Sequence, residues 1–186
     1  MTVSTEDTPL SADPVVNDLL ERGIEQAESG HPPRNRQALS DLARDDILHV
    51  DPADLIESDP SDLIGMVTSH RRLARVRQPG ETKVSVFTPT VNANGWTCGH
   101  TVVQVVTDDM PFVVDSICLA LTGSGHDLHL IIHPPMVVVR DESGELTDIV
   151  GQLALEGQDE WPAGAQVESW VLVEINRESA QPDLDA

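Results

Sequence analysis

Tyrosine is missing from this 186-residue chain, and phenylalanine occurs only twice and tryptophan three times. A core of ordinary size must therefore be aliphatic, built from Val, Leu, Ile and Ala. Lysine occurs once, as Lys83, and with ten arginines it leaves a formal net charge of −21. Phosphate backbones and anionic lipid surfaces require clustered cations, so nucleic acid and membranes are excluded as main partners. The acidity reads as a trait of the host organism more than as a recognition signal. Two cysteines, Cys98 and Cys118, cannot make a disulfide framework, and reduced thiols are expected. No apolar run reaches the ~20 residues of a membrane helix. The start MTVSTEDTPLSAD lacks the basic and apolar segments of a secretory signal, which points to the cytoplasm.

Against these absences, three Asp-Pro pairs punctuate the first third: Asp13-Pro14, Asp51-Pro52 and Asp59-Pro60. Asp can accept from a free first-turn N–H, and Pro at the first helical position has no N–H to lose. After the first pair, Val15, Val16, Leu19, Leu20, Ile24 and Ala27 share a helical face that Gly30 closes. After the third, Leu63, Ile64, Val67 and Ala74 repeat the pattern, and a weaker helix is predicted over 36–48. The division expected is an acidic, disordered tail over 1–12, a helical region over 13–78, an α+β domain over 79–177, and the opening of another helix over 178–186.

From residue 82 the period falls to two. Val84 and Val86 alternate with Lys83 and Ser85, as in a half-buried strand. Val102, Val103, Val105 and Val106 predict a more buried one. Asp108-Asp109-Met110-Pro111-Phe112 turns that strand into a helix over 111–122, which Gly123-Ser124-Gly125 stops. A long strand follows over 127–140, interrupted at Pro134-Pro135. Glu142-Ser143-Gly144 reads as a hairpin turn, 156–166 as loop, and 168–176 as a last strand. The unit from 101 to 140 is thus a split β-α-β.

Chemistry-bearing residues are few. His126, His129 and His133 would converge on a helix, but the branched residues between them favour a strand. There His129 and His133 lie roughly 13 Å apart, too far for one ion whose ligands sit about 2.0–2.3 Å away. Cys98 and His100 lack a second Cys/His pair, so loop packing is expected. The cluster from His70 to Arg77 reads as a solvated helix end, its cations complementing the helix dipole. No catalytic, cofactor-binding or metal-binding set emerges. The strand-to-helix turn is the one place suited to ligand or subunit contact. Its candidates are Asp108, Asp109, Met110, Pro111, Phe112 and, one helical turn further, Ser116, with Asp109 as helix cap.

The stretches VFTPTVNANGWTCGHTVVQVVTDDMPFVVDSI, LHLIIHPPMVVVRDESGEL and ESWVLVEINRE resemble, in order and spacing, the N-terminal region of the large bacterial NAD-dependent glutamate dehydrogenases. The resemblance covers roughly residues 15–180. It implies an ACT-like, ferredoxin-like fold (β-α-β-β-α-β) that serves regulation and assembly. It also implies an oxidoreductase parent using NAD to convert L-glutamate to 2-oxoglutarate and ammonia. The partners it implies are downstream catalytic domains of the same polypeptide, further copies associating through the sheet, and an amino-acid effector. Where ACT ligand turns read Asp-x-Pro-Gly-Leu, this chain has Asp109-Met110-Pro111-Phe112, and the ring is expected to pack under the helix and fill the pocket. Residues 181–186 resemble the start of the second ACT helix, so the sheet is expected to be truncated after its third core strand. The rival readings are a free-standing ACT-like amino-acid sensor and a small enzyme in its own right.

Overall fold

Two Asp-Pro starts become two helices that lie against each other and then against a sheet. The computed structural model describes residues 14–30, 43, 58–152 and 161–178. Helix α1 (Pro14–Gly30) buries Leu19, Leu20 and Ile24, while Val15 is 47% exposed. Helix α2 (Pro60–Ala74) begins with Pro60 after Asp59, whose carboxylate accepts the Ser61 N–H at 2.8 Å. The hydrogen bond from the Ser61 hydroxyl, followed by this backbone one, holds the Asp59 carboxyl below its usual range. Leu63, Ile64, Val67 and Ala74 are buried on α2, as the period predicts. The helix expected over 36–48 lies outside the described residues except for Ala43, which is helical and buried. The tail over 1–12, residues 181–186 and most of the loop expected over 156–166 lie outside them as well.

Strand β1 (Lys83–Phe87), the single turn α3 (Val91–Asn94) and strand β2 (Thr101–Asp108) follow. Then come helix α4 (Val113–Gly123), strands β3 (Leu128–Ile132), β4 (Pro135–Arg140) and β5 (Leu146–Gln152), and the long strand β6 (Ala165–Ile175). The strands form one sheet with the path β1-β2-β6-β4-β5, and β3 also pairs with β6. Every pairing is antiparallel.

One edge of β6 runs the full length of β2, from Thr101↔Ile175 to Asp108↔Glu168. Its other edge takes β4 along its first half and β3 along its second. β3 and β4 are therefore two halves of the strand expected over 127–140. The break falls at His133-Pro134, because a proline has no N–H to give the ladder. β2 and β3 run in the same direction on either side of β6, with α4 connecting them.

Among the described residues the sheet has six strands. β1, from earlier in the chain, pairs along the outer edge of β2 from Lys83↔Val106 to Phe87↔Val102.

Alternation along β2 and β6 divides the core by face. Val102, Val106, Trp170 and Leu172 join one cluster with Leu20, Ile24, Leu63, Ile64 and Val67 of α1 and α2. Val103, Val105, Val171, Val173 and Ile175 form the other, covered by Val113, Val114, Ile117 and Leu121 of α4. Burying such a side chain contributes roughly 1.5–3 kcal/mol. α4 itself has no fully buried residue, and its Leu119 is 74% exposed. Among the described residues, no helix is long and apolar enough to cross a membrane.

Candidate functional site

The turn after β2 uses its two aspartates for anchoring. Asp108 accepts the Arg77 Nη2 at 2.7 Å through one carboxylate oxygen and the Gly80 N–H at 3.0 Å through the other. Asp109 accepts the Ser169 hydroxyl at 2.6 Å and donates its N–H to the Val167 carbonyl at 3.3 Å. The expected helix cap at Asp109 is therefore corrected. The N-cap of α4 is Phe112, which makes no side-chain capping bond. Phe112 sits at φ 67°, in the left-handed region that costs a residue with a Cβ about 1–2 kcal/mol. Its ring does not pack under the helix as expected. It is 76% exposed, beside a Met110 that is 52% exposed. Asp108 ties the chain to the segment ahead of β1 and Asp109 ties it to β6, and the helix starts only after the turn has swung outward. Ser116 is exposed one turn into α4, its N–H donating to the Phe112 carbonyl at 2.9 Å. Phe112, Ser116 and Leu119 follow helical spacing along the face turned away from the sheet.

Beneath the turn lies a buried ion network. Glu168 Oε1 accepts from Arg77 Nη2 at 2.8 Å and from Arg140 Nε at 2.6 Å, and Oε2 accepts from Arg140 Nη2 at 2.8 Å. Arg77 Nε at 3.1 Å and Gln166 Nε2 at 2.8 Å also donate to Oε1, and Trp170 Nε1 donates to Oε2 at 3.2 Å. Burial alone would raise the Glu168 pKa, but the two guanidiniums outweigh it and hold the carboxyl below its usual value. Arg77 and Glu168 are both fully buried, which corrects the reading of the 70–77 cluster as a solvated helix end. His70 is also buried, its ring tilted over Trp170 at 5.4 Å, and burial lowers its pKa to about 4. Arg71, Arg72 and Arg75 are the cluster's exposed cations.

A second constellation lies at the opposite end of β2, about 24 Å away at ~3.4 Å per residue. There the loop ahead of β2 meets the end of β6. His100 Nδ1 contacts Glu174 Oε2 at 2.9 Å, and Cys98 Sγ joins them so that the three ligand atoms lie within 4.8 Å of one another. Burial, then the Glu174 carboxylate, pushes the Cys98 thiol up to about 12. His129 stacks on His100 with centroids 4.1 Å apart and planes 10° from parallel. It reaches that position because a register shift between Leu128 and Leu130 leaves it as the extra residue of a bulge. These groups border a cavity of about 410 Å³, together with Asp59, Asp62 and Met66. Loop packing was expected for Cys98 and His100, and the spacing gave no sign of Glu174, 74 residues on from His100.

The family model for the glutamate dehydrogenase ACT1 domain matches residues 42–186, most of the chain. The chain belongs to this family.

Its curated relatives include an NAD-specific glutamate dehydrogenase of Pseudomonas aeruginosa, 32% identical over 117 residues. Another, of Halomonas elongata and with the same description, is 30% identical over 132 residues. The matches take in 63% and 71% of this chain but only 7% and 8% of the relatives' length. No solved structure matches significantly.

Within this ACT1 domain the six candidate residues divide by role. Asp108 is tied to Arg77 and Gly80 and Asp109 to Ser169 of β6, while Met110, Pro111, Phe112 and Ser116 are presented outward. The three histidines meet different surroundings. His126 contacts Glu178 and Asn176, His129 stacks on His100, and the half-buried His133 has its pKa lowered by burial.

Proposed function

We propose that this chain is the N-terminal regulatory and assembly module of an NAD-dependent glutamate dehydrogenase. In this reading the parent enzyme converts L-glutamate, NAD and water to 2-oxoglutarate, ammonia and NADH. NAD serves catalytic domains further along the same polypeptide. The observation that carries it is the family match over residues 42–186, joined to relatives described as NAD-specific glutamate dehydrogenases. A free-standing sensor is less well supported, because the relatives that share this region are many times longer.

The β2-α4-β3 connection with β6 between the two strands supports the ACT-like, ferredoxin-like assignment. β1 occupies the edge beside β2 that a fourth core strand takes in that fold. The contact site is the 108–116 turn. Asp108 fixes it to Arg77 and Gly80, Asp109 fixes it to β6, and Met110, Phe112 and Ser116 form the face offered to a downstream domain, a second copy or an amino-acid effector. An exposed aromatic held in the left-handed region is the kind of local strain that clusters at functional sites.

The test is kinetic and hydrodynamic. The isolated 186-residue chain, given glutamate and NAD, is expected to form no NADH above a buffer blank. In the polypeptide that joins it to the catalytic domains, Phe112→Ser with Leu119→Ser should lower the oligomeric mass or alter the response to amino acids. Unchanged mass together with unchanged kinetics would overturn the contact role. NADH formation by the isolated chain would overturn the module reading itself.

A further inference from the structure

We propose that Cys98, His100 and Glu174 form a binding site for a borderline-soft divalent cation, zinc in the first place, with a fourth coordination position open to the adjoining cavity. The site is independent of the turn that carries the proposed regulatory contact and stands at the other end of β2.

Three observations converge on it. The donor atoms already lie within 4.8 Å of one another, and ligands on a tetrahedral zinc are separated by about 3.3–3.8 Å, given bonds of about 2.0–2.3 Å. Side-chain rotation alone can close that gap. The backbone holding them is firmly placed. Thr97 donates its N–H to Asp62 at the start of α2 at 2.9 Å, and Trp96 is buried against Gly65. Glu174 is 7% exposed and pairs with Val102 in the β2–β6 ladder. His129, parallel to His100, fixes the plane of the imidazole that must supply a lone pair.

The chemistry of the donors selects the ion. A thiolate, an imidazole and a carboxylate supply soft, borderline and hard atoms, a set suited to zinc and poorly suited to magnesium or calcium. The thiolate and carboxylate together carry two negative charges and neutralise a divalent cation. A carboxylate set beside a buried thiol is unfavourable for both as anions until a cation lies between them. The Trp96 Nε1, buried and without a hydrogen-bond partner, lies in a side chain that also borders the cavity. It offers a donor for a ligand at the fourth position.

Binding balances simply. The thiol proton of Cys98 passes to solvent as sulfur bonds the ion. His100 turns Nδ1 from its contact with Glu174 to the metal, and the proton that Nδ1 gave to that contact is exchanged through solvent for one on Nε2, with no net change. Glu174 exchanges that contact for a metal–oxygen bond. One proton is released per ion bound.

Cobalt(II) is the spectroscopic probe. Added to the chelator-treated 186-residue chain under a phosphine reductant, it should bind once per chain. The expected spectrum has the intense visible bands of a tetrahedral ion and a thiolate-to-cobalt charge-transfer band, both abolished by one equivalent of zinc. Cys98→Ser should remove the charge-transfer band, whereas Cys118→Ser, on α4, should keep it. Glu174→Gln and His100→Ala should each weaken binding at least tenfold. A wild-type chain without the band, or a band that survives Cys98→Ser, would overturn the site. Thiol alkylation of the wild-type chain, mapped by peptide mass, covers the case in which the serine variant fails to fold. Zinc should protect Cys98 and leave Cys118 reactive. Equal reactivity of Cys98 with and without zinc would overturn the proposal on its own.

Discussion

Phe112 occupies a backbone conformation that glycine enters freely and that costs a residue with a Cβ about 1–2 kcal/mol. Its side chain contributes little in return, since the residue is 76% exposed. Phe112→Gly should therefore be close to neutral or stabilising, because relieved strain opposes up to ~1 kcal/mol of added unfolded-state freedom. A buried ring would give the opposite result, a loss of roughly 1.5–3 kcal/mol. Thermal melting distinguishes the two at once. A melting temperature that falls by several degrees would mean the ring is covered in solution and would contradict its exposed position. If the melting temperature holds while self-association or effector response declines, the ring is kept for contact and not for folding.

At the scale of elements, the tightest joint is between α1 and α2. A Cβ placed on Gly23 would run into the carbonyl oxygen of Pro60 and the side chain of Ile64. Helix propensity favours Ala over Gly by about 1 kcal/mol. Overpacking costs about 1–3 kcal/mol, more where the obstacle is backbone. The steric cost should win, so Gly23→Ala is expected to destabilise the fold by about 1–2 kcal/mol in denaturant unfolding. Stabilisation would show that the helices separate easily. The elements themselves were largely legible from local signals. Asp-Pro starts, the run Val102, Val103, Val105 and Val106 and the Gly-Ser-Gly stop mark α1, α2, β2 and α4 within a few residues. What local signals could not give was pairing. Nothing in Lys83–Phe87 indicates that it lies along β2, nor that Arg77 is fully buried against Glu168, 91 positions later. The turn was legible as a place but not in its roles, since Asp109 reads equally well as a cap or as a tie to Ser169. Glu174 was invisible beside Cys98 and His100 for the same reason: a cluster joined through a sheet leaves no spacing in the sequence.

At the scale of the whole molecule, the helical layer and the sheet are tied by polar groups that share one vulnerability, which is acid. Arg77, just past α2, and Arg140 on β4 meet on Glu168 of β6, so one carboxylate joins three parts of the fold. His70 of α2 lies in the same apolar cluster region against Trp170. Both groups give the same sign of pH dependence. His70 has its folded pKa lowered from 6.5 to about 4, so the unfolded chain binds the extra proton between those values, and stability falls as the pH drops through that window. At about 1.4 kcal/mol per tenfold change in proton affinity, the full effect is about 3 kcal/mol. Glu168 also has a lowered folded pKa, so its contribution is present above 4.5 and is lost below that, as pH falls through the folded value. Stability measured by urea unfolding should therefore decline in two stages, first below pH 6.5 and again below about 4.5. His70→Met should flatten the first stage and leave the second. Glu168→Gln should cost about 3–5 kcal/mol at neutral pH, because it leaves two guanidiniums without their shared anion, and it should remove most of the second stage. The readout for His70 is the slope against pH and not the absolute stability, so a repacking penalty does not obscure it. A wild-type chain equally stable at pH 7 and pH 5 would show that water reaches His70 and that the two layers part more readily than their burial indicates.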